Sequence, residues 1–122
     1  MARVLLVDDD ELLRSMLRTL LERFGHDVVT ATNGHDAIVR HREQSVDLVI
    51  TDIIMPDMEG IELIRALRHD DPAMKIIAMS GGGRAGANDY LDLAKQLGAE
   101  QILSKPFSQQ ELRDAITAVL GS

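Results

Sequence analysis

Five short apolar runs that do not alternate with polar residues punctuate this chain. They are Val4-Leu5-Leu6-Val7, Val28-Val29-Thr30-Ala31, Leu48-Val49-Ile50-Thr51, Ile76-Ile77-Ala78-Met79 and Gln101-Ile102-Leu103-Ser104. A strand with one wet face alternates; a strand covered on both faces reads as a mostly continuous apolar run. Between the runs, apolar residues recur at helical spacing. Leu13, Met16, Leu17, Leu20 and Phe24 mark a helix from Glu11 to Phe24, and Ile61, Leu63, Ile64 and Leu67 mark one from about Glu59 to His69. Leu91, Ala94 and Leu97 mark a helix over Asn88 to Leu97, and Leu112, Ile116, Val119 and Leu120 mark the last one. Asn33-Gly34 predicts a turn before a short helix, Asp36 to Arg42, while Gly25 and Gly98 stand where helices stop and Pro72 breaks the chain. Five strands alternating with five helices predict an open, doubly wound α/β sheet with parallel strands and helices on both sides. The 122 residues suffice for one core, with no repeat, linker or low-complexity tract, so residues 1–122 are expected to form one domain.

In such a sheet, ligands bind beyond the carboxyl ends of the strands, all on one rim. Asp8, Asp9 and Asp10 follow the first run, Asp52 the third, Ser80 and a Gly81-Gly82-Gly83 stretch the fourth, and Lys105-Pro106 the fifth. The second run is followed by the uncharged Ala31, Thr32 and Asn33. The predicted topology therefore gathers Asp8, Asp9, Asp52, Ser80 and Lys105 from distant parts of the chain. Carboxylates brought together repel, and Lys105 supplies a single compensating charge. A divalent cation would supply the remainder. Hard oxygen donors, with no cysteine in the chain and no clustered histidine, favour Mg²⁺ or Mn²⁺ over zinc. A Mg²⁺ held by a few carboxylates with open positions suits phosphoryl chemistry.

Charge narrows the partners. A formal net charge of −7 is poorly suited to binding nucleic acid or an anionic membrane, so neither is expected. Absence of cysteine removes disulfides and a thiol nucleophile. No apolar stretch is long enough to span a bilayer, and the N-terminus lacks the apolar segment of a signal peptide, which makes a cytoplasmic location the expectation.

Four segments, "VLLVDDD", "DLVITDIIMPDMEGIELIRALR", "IIAMSG" and "GAEQILSKPF", occur in this order at these strand ends. Together they resemble the receiver domain of two-component response regulators, from Arg3 to about Leu120. The resemblance implies a flavodoxin-like (βα)5 fold with sheet order 2-1-3-4-5. It implies that Asp52 is the phosphoacceptor, Asp9 the main Mg²⁺ carboxylate and Asp8 the holder of metal-bound water, with the backbone carbonyl of Ile54 as a further ligand. Ser80 corresponds to the switch hydroxyl and Lys105 to the lysine that pairs with the acceptor or its phosphoryl oxygens, followed by a cis Lys105–Pro106 bond. The implied partners are a histidine kinase or histidine phosphotransfer protein and a downstream target or output domain. A homodimer through the fourth helix, fifth strand and fifth helix is also implied. At this length the chain is either a stand-alone receiver or a receiver cut from a longer protein.

The chain departs from the family pattern at Ile102, where receivers commonly carry Tyr or Phe. Without a ring to swing inward, output is expected to run through the backbone after Ser80. The 25 positions from Ser80 to Lys105, with the glycine-rich stretch "GGGRAGAND", are a second departure; Arg84 within it is expected to be a solvated loop cation, with a phosphate or partner contact as the alternative. The remaining motifs have simpler readings. Asp10 is expected to cap the following helix, Thr51 to be a strand residue, and Gly60 to serve backbone geometry. Asp57 and Glu59 are expected to favour the N-terminus of the next helix. His26, His35, His41 and His69 have no metal-ligand spacing and are expected to be exposed. The alternative function is a Mg²⁺-dependent phosphohydrolase of the haloacid dehalogenase type, with Asp8 as nucleophile and Asp10 as acid/base. It leaves Asp52 without a role, and the chain lacks that family's cap domain and later acidic pair.

Overall fold

The apolar runs become strands because Val, Ile and Leu on both sides of a pleat are buried only between two layers of helix. The computed structural model describes residues 2–53, 60–81, 92, 95, 96 and 98–121. Within them the elements are β1 (Arg3–Val7), α1 (Glu11–Arg23), β2 (Asp27–Ala31), α2 (Gly34–Glu43), β3 (Leu48–Asp52), α3 (Gly60–Asp70), β4 (Lys75–Gly81), β5 (Gln101–Lys105) and α4 (Gln109–Leu120). Of the helix expected over residues 88–97, Asp92, Lys95 and Gln96 are described and are helical; the rest lies outside the described residues.

The strands form one parallel sheet in the order β2-β1-β3-β4-β5, as expected. The chain first adds β2 on one side of β1 and then crosses to add β3 on the other. That reversal opens a crevice at the carboxyl ends of β1 and β3. Alternation along the strands divides the core in two. Leu5, Val7, Val49, Ile53, Ile76 and Ala78 pack with Ala37 of α2 and Ile61, Ile64 and Leu67 of α3. Val4, Leu6, Leu48, Ile50, Ile77 and Met79 pack with Leu17 and Leu21 of α1 and Leu112 and Ile116 of α4.

Local chemistry sets the helix ends. Asp10 caps α1 by accepting from the Leu13 N–H, and the left-handed Gly25 follows the C-cap Phe24. Asn33 accepts from the Asp36 N–H, so α2 begins at Gly34, earlier than the expected Asp36: the turn asparagine serves as a cap. Ser108 and Glu111 make a reciprocal capping box on α4.

Three strands, β3, β4 and β5, run past the carboxyl ends of their apolar runs. β3 extends to Asp52, paired with Met79; β4 extends through Ser80 and Gly81, paired with Ser104 and Lys105. Backbone pairing continues when side chains turn polar, so Asp52, Ser80 and Lys105 stand on the sheet itself rather than on loops beyond it. No helix among the described residues is long and apolar enough to cross a membrane.

Candidate functional site

Asp8 is the first residue beyond β1, and its backbone N–H donates to the Ala31 carbonyl at 3.3 Å. Its carboxylate is completely buried, and one oxygen accepts from the Asp10 N–H at 2.9 Å. Arg14, one turn into α1, donates to the Asp8 carbonyl at 2.7 Å, so the helix grips the turn that carries the acids. Asp9 is exposed on the rim, and Asp52 is buried at the end of β3. Asp8, Asp9 and Asp52 each present an oxygen within 4.8 Å of the others.

Lys105 reaches this cluster from the end of β5. Its ammonium lies 2.8 Å from Asp52 and 3.1 Å from Asp8. Among the described residues, one cation facing three carboxylates leaves a formal excess of two negative charges. Burial raises the Asp8 pKa above the usual carboxylate value, and the neighbouring Asp52 charge adds to this. The Asp10 N–H and Lys105 pull the other way without cancelling it. Burial alone would lower the Lys105 pKa, but hydrogen bonds and charge from Asp52 and Asp8 raise it overall. The ammonium is therefore held charged.

Ser80 is buried at the same rim, and its Oγ has no hydrogen-bond partner among the described residues. An unpaired buried hydroxyl is uncommon and is satisfied when an acceptor arrives. The expected Ile54 carbonyl lies outside the described residues, as do Asp57, Glu59 and Arg84. The Lys105–Pro106 bond is cis, as the resemblance implied. Asp10, the acid/base of the alternative reading, spends its side chain on the α1 cap instead.

Two positions were missed as site neighbours. Arg14 has no signal beyond its place one turn after the acids. Gly60 is required by proximity rather than by a left-handed backbone: a Cβ there would lie 2.1 Å from the Asp52 carbonyl oxygen. The histidines were expected to be exposed, yet His26 and His41 are half-buried, their Nδ1 atoms accepting from the Ala2 and Val46 N–H groups.

Residues 4–117 match the response regulator receiver domain. The chain belongs to the receiver domain family. It is 37% identical to the response regulator receiver protein CpdR of Brucella abortus, over 98% of this chain and 98% of that protein. It is 32% identical to the alkaline phosphatase synthesis transcriptional regulatory protein PhoP of Bacillus subtilis, over 97% of this chain but 48% of that protein. The chain thus spans nearly all of some curated relatives and about half the length of others. The crystal structure of a response regulator receiver domain protein from Clostridium thermocellum superposes with a TM-score of 0.92 at 32% identity, covering 99% of this chain and 95% of that one. As a receiver domain, the chain is a phospho-accepting signalling module of two-component systems rather than a metabolic enzyme, and the dehalogenase-type alternative is set aside.

Proposed function

We propose that residues 1–122 form one receiver domain in which Asp52 accepts the phosphoryl group. The observation that supports this is Lys105, whose ammonium bridges Asp52 and Asp8 at the topological switch point. The donor is a phosphohistidine on a histidine kinase or phosphotransfer protein. An Asp52 carboxylate oxygen attacks phosphorus in line, the P–N bond breaks, and its electron pair returns to the imidazole. The product is a mixed acyl phosphate. Lys105 stabilises negative charge on the transferring group from a fixed position, and the Ser80 hydroxyl then donates to a phosphoryl oxygen. Water attack on the acyl phosphate resets the site; in this sense the domain catalyses only its own phosphorylation and dephosphorylation.

The donor set fits Mg²⁺, with Mn²⁺ as a substitute. Asp8, Asp9 and Asp52 are hard oxygen ligands clustered with excess negative charge, and the Ile54 carbonyl is the further ligand implied by the family. Bound there, the metal would supply Lewis-acid stabilisation of phosphoryl oxygens.

An apolar groove lined by Leu13, Met16, Leu17, Leu20, Pro106 and Phe107 runs beside Lys105, with Leu12 and Met16 strongly exposed on α1. Its position beside Lys105 suits docking of the phosphodonor protein. Signal leaves through a downstream protein or output domain. The docking or homodimer face expected over residues 88–97, β5 and α4 remains part of the reading, though most of residues 88–97 lies outside the described residues. The proposed location is cytoplasmic.

Intact-mass spectrometry after incubation with acetyl phosphate and Mg²⁺ tests the acceptor. Wild type is expected to gain a hydroxylamine-sensitive phosphoryl adduct that Asp52→Asn lacks. An adduct that survives Asp52→Asn and disappears in Asp8→Asn would overturn the reading, and so would no adduct at all.

A further inference from the structure

Thr51 stands where an aliphatic residue would suffice. On β3 it continues the row of Val49 and Ile53, both fully buried against α2 and α3. Thr51 is also fully buried. Valine has nearly the same shape and spares the chain a buried hydroxyl, which is unfavourable unless hydrogen-bonded. Here the hydroxyl donates to the carbonyl of the next residue, Asp52, at 2.9 Å.

The start of α3 packs close to that carbonyl. Gly60, the first residue of α3, packs so tightly on the Asp52–Ile53 peptide that an added Cβ would meet the Asp52 oxygen at 2.1 Å and the Ile53 Cα at 2.6 Å. Its N–H donates to the Ile53 carbonyl at 2.6 Å, and the Ile53 N–H donates to Met79 at 2.9 Å. The Asp52–Ile53 peptide is thus fixed by a side-chain hydroxyl on its oxygen and by the sheet on its N–H, and Gly60 holds the carbonyl of the peptide that follows. A bond from Thr51 Oγ1 to the Asp52 carbonyl restrains ψ of Asp52, the torsion adjoining the Cα that bears the carboxylate.

We propose that Thr51 is a positioning residue for the phosphoacceptor: its hydroxyl, bonded to the Asp52 carbonyl, sets the orientation of the Asp52 carboxylate for metal binding and attack on phosphorus. This rests on Asp52 being the acceptor. Misorientation of one reacting group slows a transfer that depends on in-line geometry. Loss of one neutral hydrogen bond corresponds to a change of about 2- to 10-fold.

The test compares wild type, Thr51→Val and Thr51→Ser. Mg²⁺ affinity is measured by isothermal titration calorimetry, the acetyl-phosphate phosphorylation rate at saturating Mg²⁺ by intact mass, and folding by thermal melting. Thr51→Val is expected to melt near wild type, bind Mg²⁺ more weakly and phosphorylate about 2- to 10-fold more slowly. Thr51→Ser should recover both. The Thr51→Ser and Thr51→Ala pair, which differs by the hydroxyl alone, makes the same comparison should valine disturb the fold. Wild-type rate and affinity in Thr51→Val, or equal impairment of Thr51→Val and Thr51→Ser, overturns the inference and leaves a packing role. An absent adduct in wild type, or one that persists in Asp52→Asn, overturns the acceptor reading instead and takes this inference with it.

Discussion

The Lys105 ammonium lies 2.8 Å from the Asp52 carboxylate, and the two residues are 53 positions apart in the chain. The same ammonium lies 3.1 Å from the fully buried Asp8. Lys105→Met would leave both carboxylates without this cation. Stripping one partner from a buried pair costs about 3–5 kcal/mol, and the 19% exposure of the Lys105 side chain puts the expected loss near the lower end. Urea unfolding of the metal-free proteins measures it, and added Mg²⁺ should restore part of the loss. A Lys105→Met protein as stable as wild type without metal would show that the pair contributes nothing net.

Mg²⁺ itself should stabilise the fold by mass action. At a free concentration 100 times the dissociation constant, the gain is about 2.7 kcal/mol, seen as a higher melting temperature. Asp9→Asn should reduce this gain, because Asp9 is the exposed member of the acid cluster. Asp114→Asn, on the exposed face of α4, should leave it intact. An equal Mg²⁺ shift in both variants would mean that the metal acts elsewhere.

The raised Asp8 pKa has a signed consequence for the metal-free protein. The folded state holds the Asp8 proton to higher pH than the unfolded chain, whose value is 3.8. This stabilising contribution is complete below pH 3.8 and is lost as pH rises through the folded value. Stability of wild type relative to Asp8→Asn should therefore fall as pH increases above 3.8 and then level off. Lys105 behaves in the same sense at the alkaline end: its contribution is complete below 10.5 and lost as pH rises through its higher folded value. Urea unfolding across pH for wild type and Asp8→Asn reads the first window; a difference that grows with pH would contradict it.

Far from the rim, Arg68 of α3 ties together the starts of β4 and β5. Its guanidinium donates to the carbonyls of Pro72, Met74 and Gly98 and pairs with Glu100, whose other oxygen accepts from the Ile76 N–H at 2.7 Å. Arg68→Met should cost about 2–3 kcal/mol through acceptors left without their donor. Because these groups lie at the amino ends of the strands, the Mg²⁺-induced increment in melting temperature should be unchanged. A lost increment would show that the two ends of the sheet are coupled.

Much of this architecture is legible in the sequence. Continuous apolar runs dictate strands covered on both faces, helical spacing dictates what covers them, and together they require a parallel sheet with one polar rim. Asp8, Asp9, Asp52, Ser80 and Lys105 followed as rim residues, and Asp10 as a cap. Periodicity could not locate the strand ends, because pairing depends on the neighbouring backbone and not on side-chain polarity. It therefore left Asp52, Ser80 and Lys105 at or beyond the ends of strands that in fact contain them.

Side-chain period and polarity are local properties, so the order of residues is enough to set the layer architecture and the chemistry that gathers at the carboxyl ends. Tertiary structure alone decided which charges meet. Lys105 and Asp8, 97 positions apart, share a bond only because β1, β3, β4 and β5 lie side by side. It also decided that Gly60 must lack a side chain, because that depends on how closely α3 packs against the end of β3.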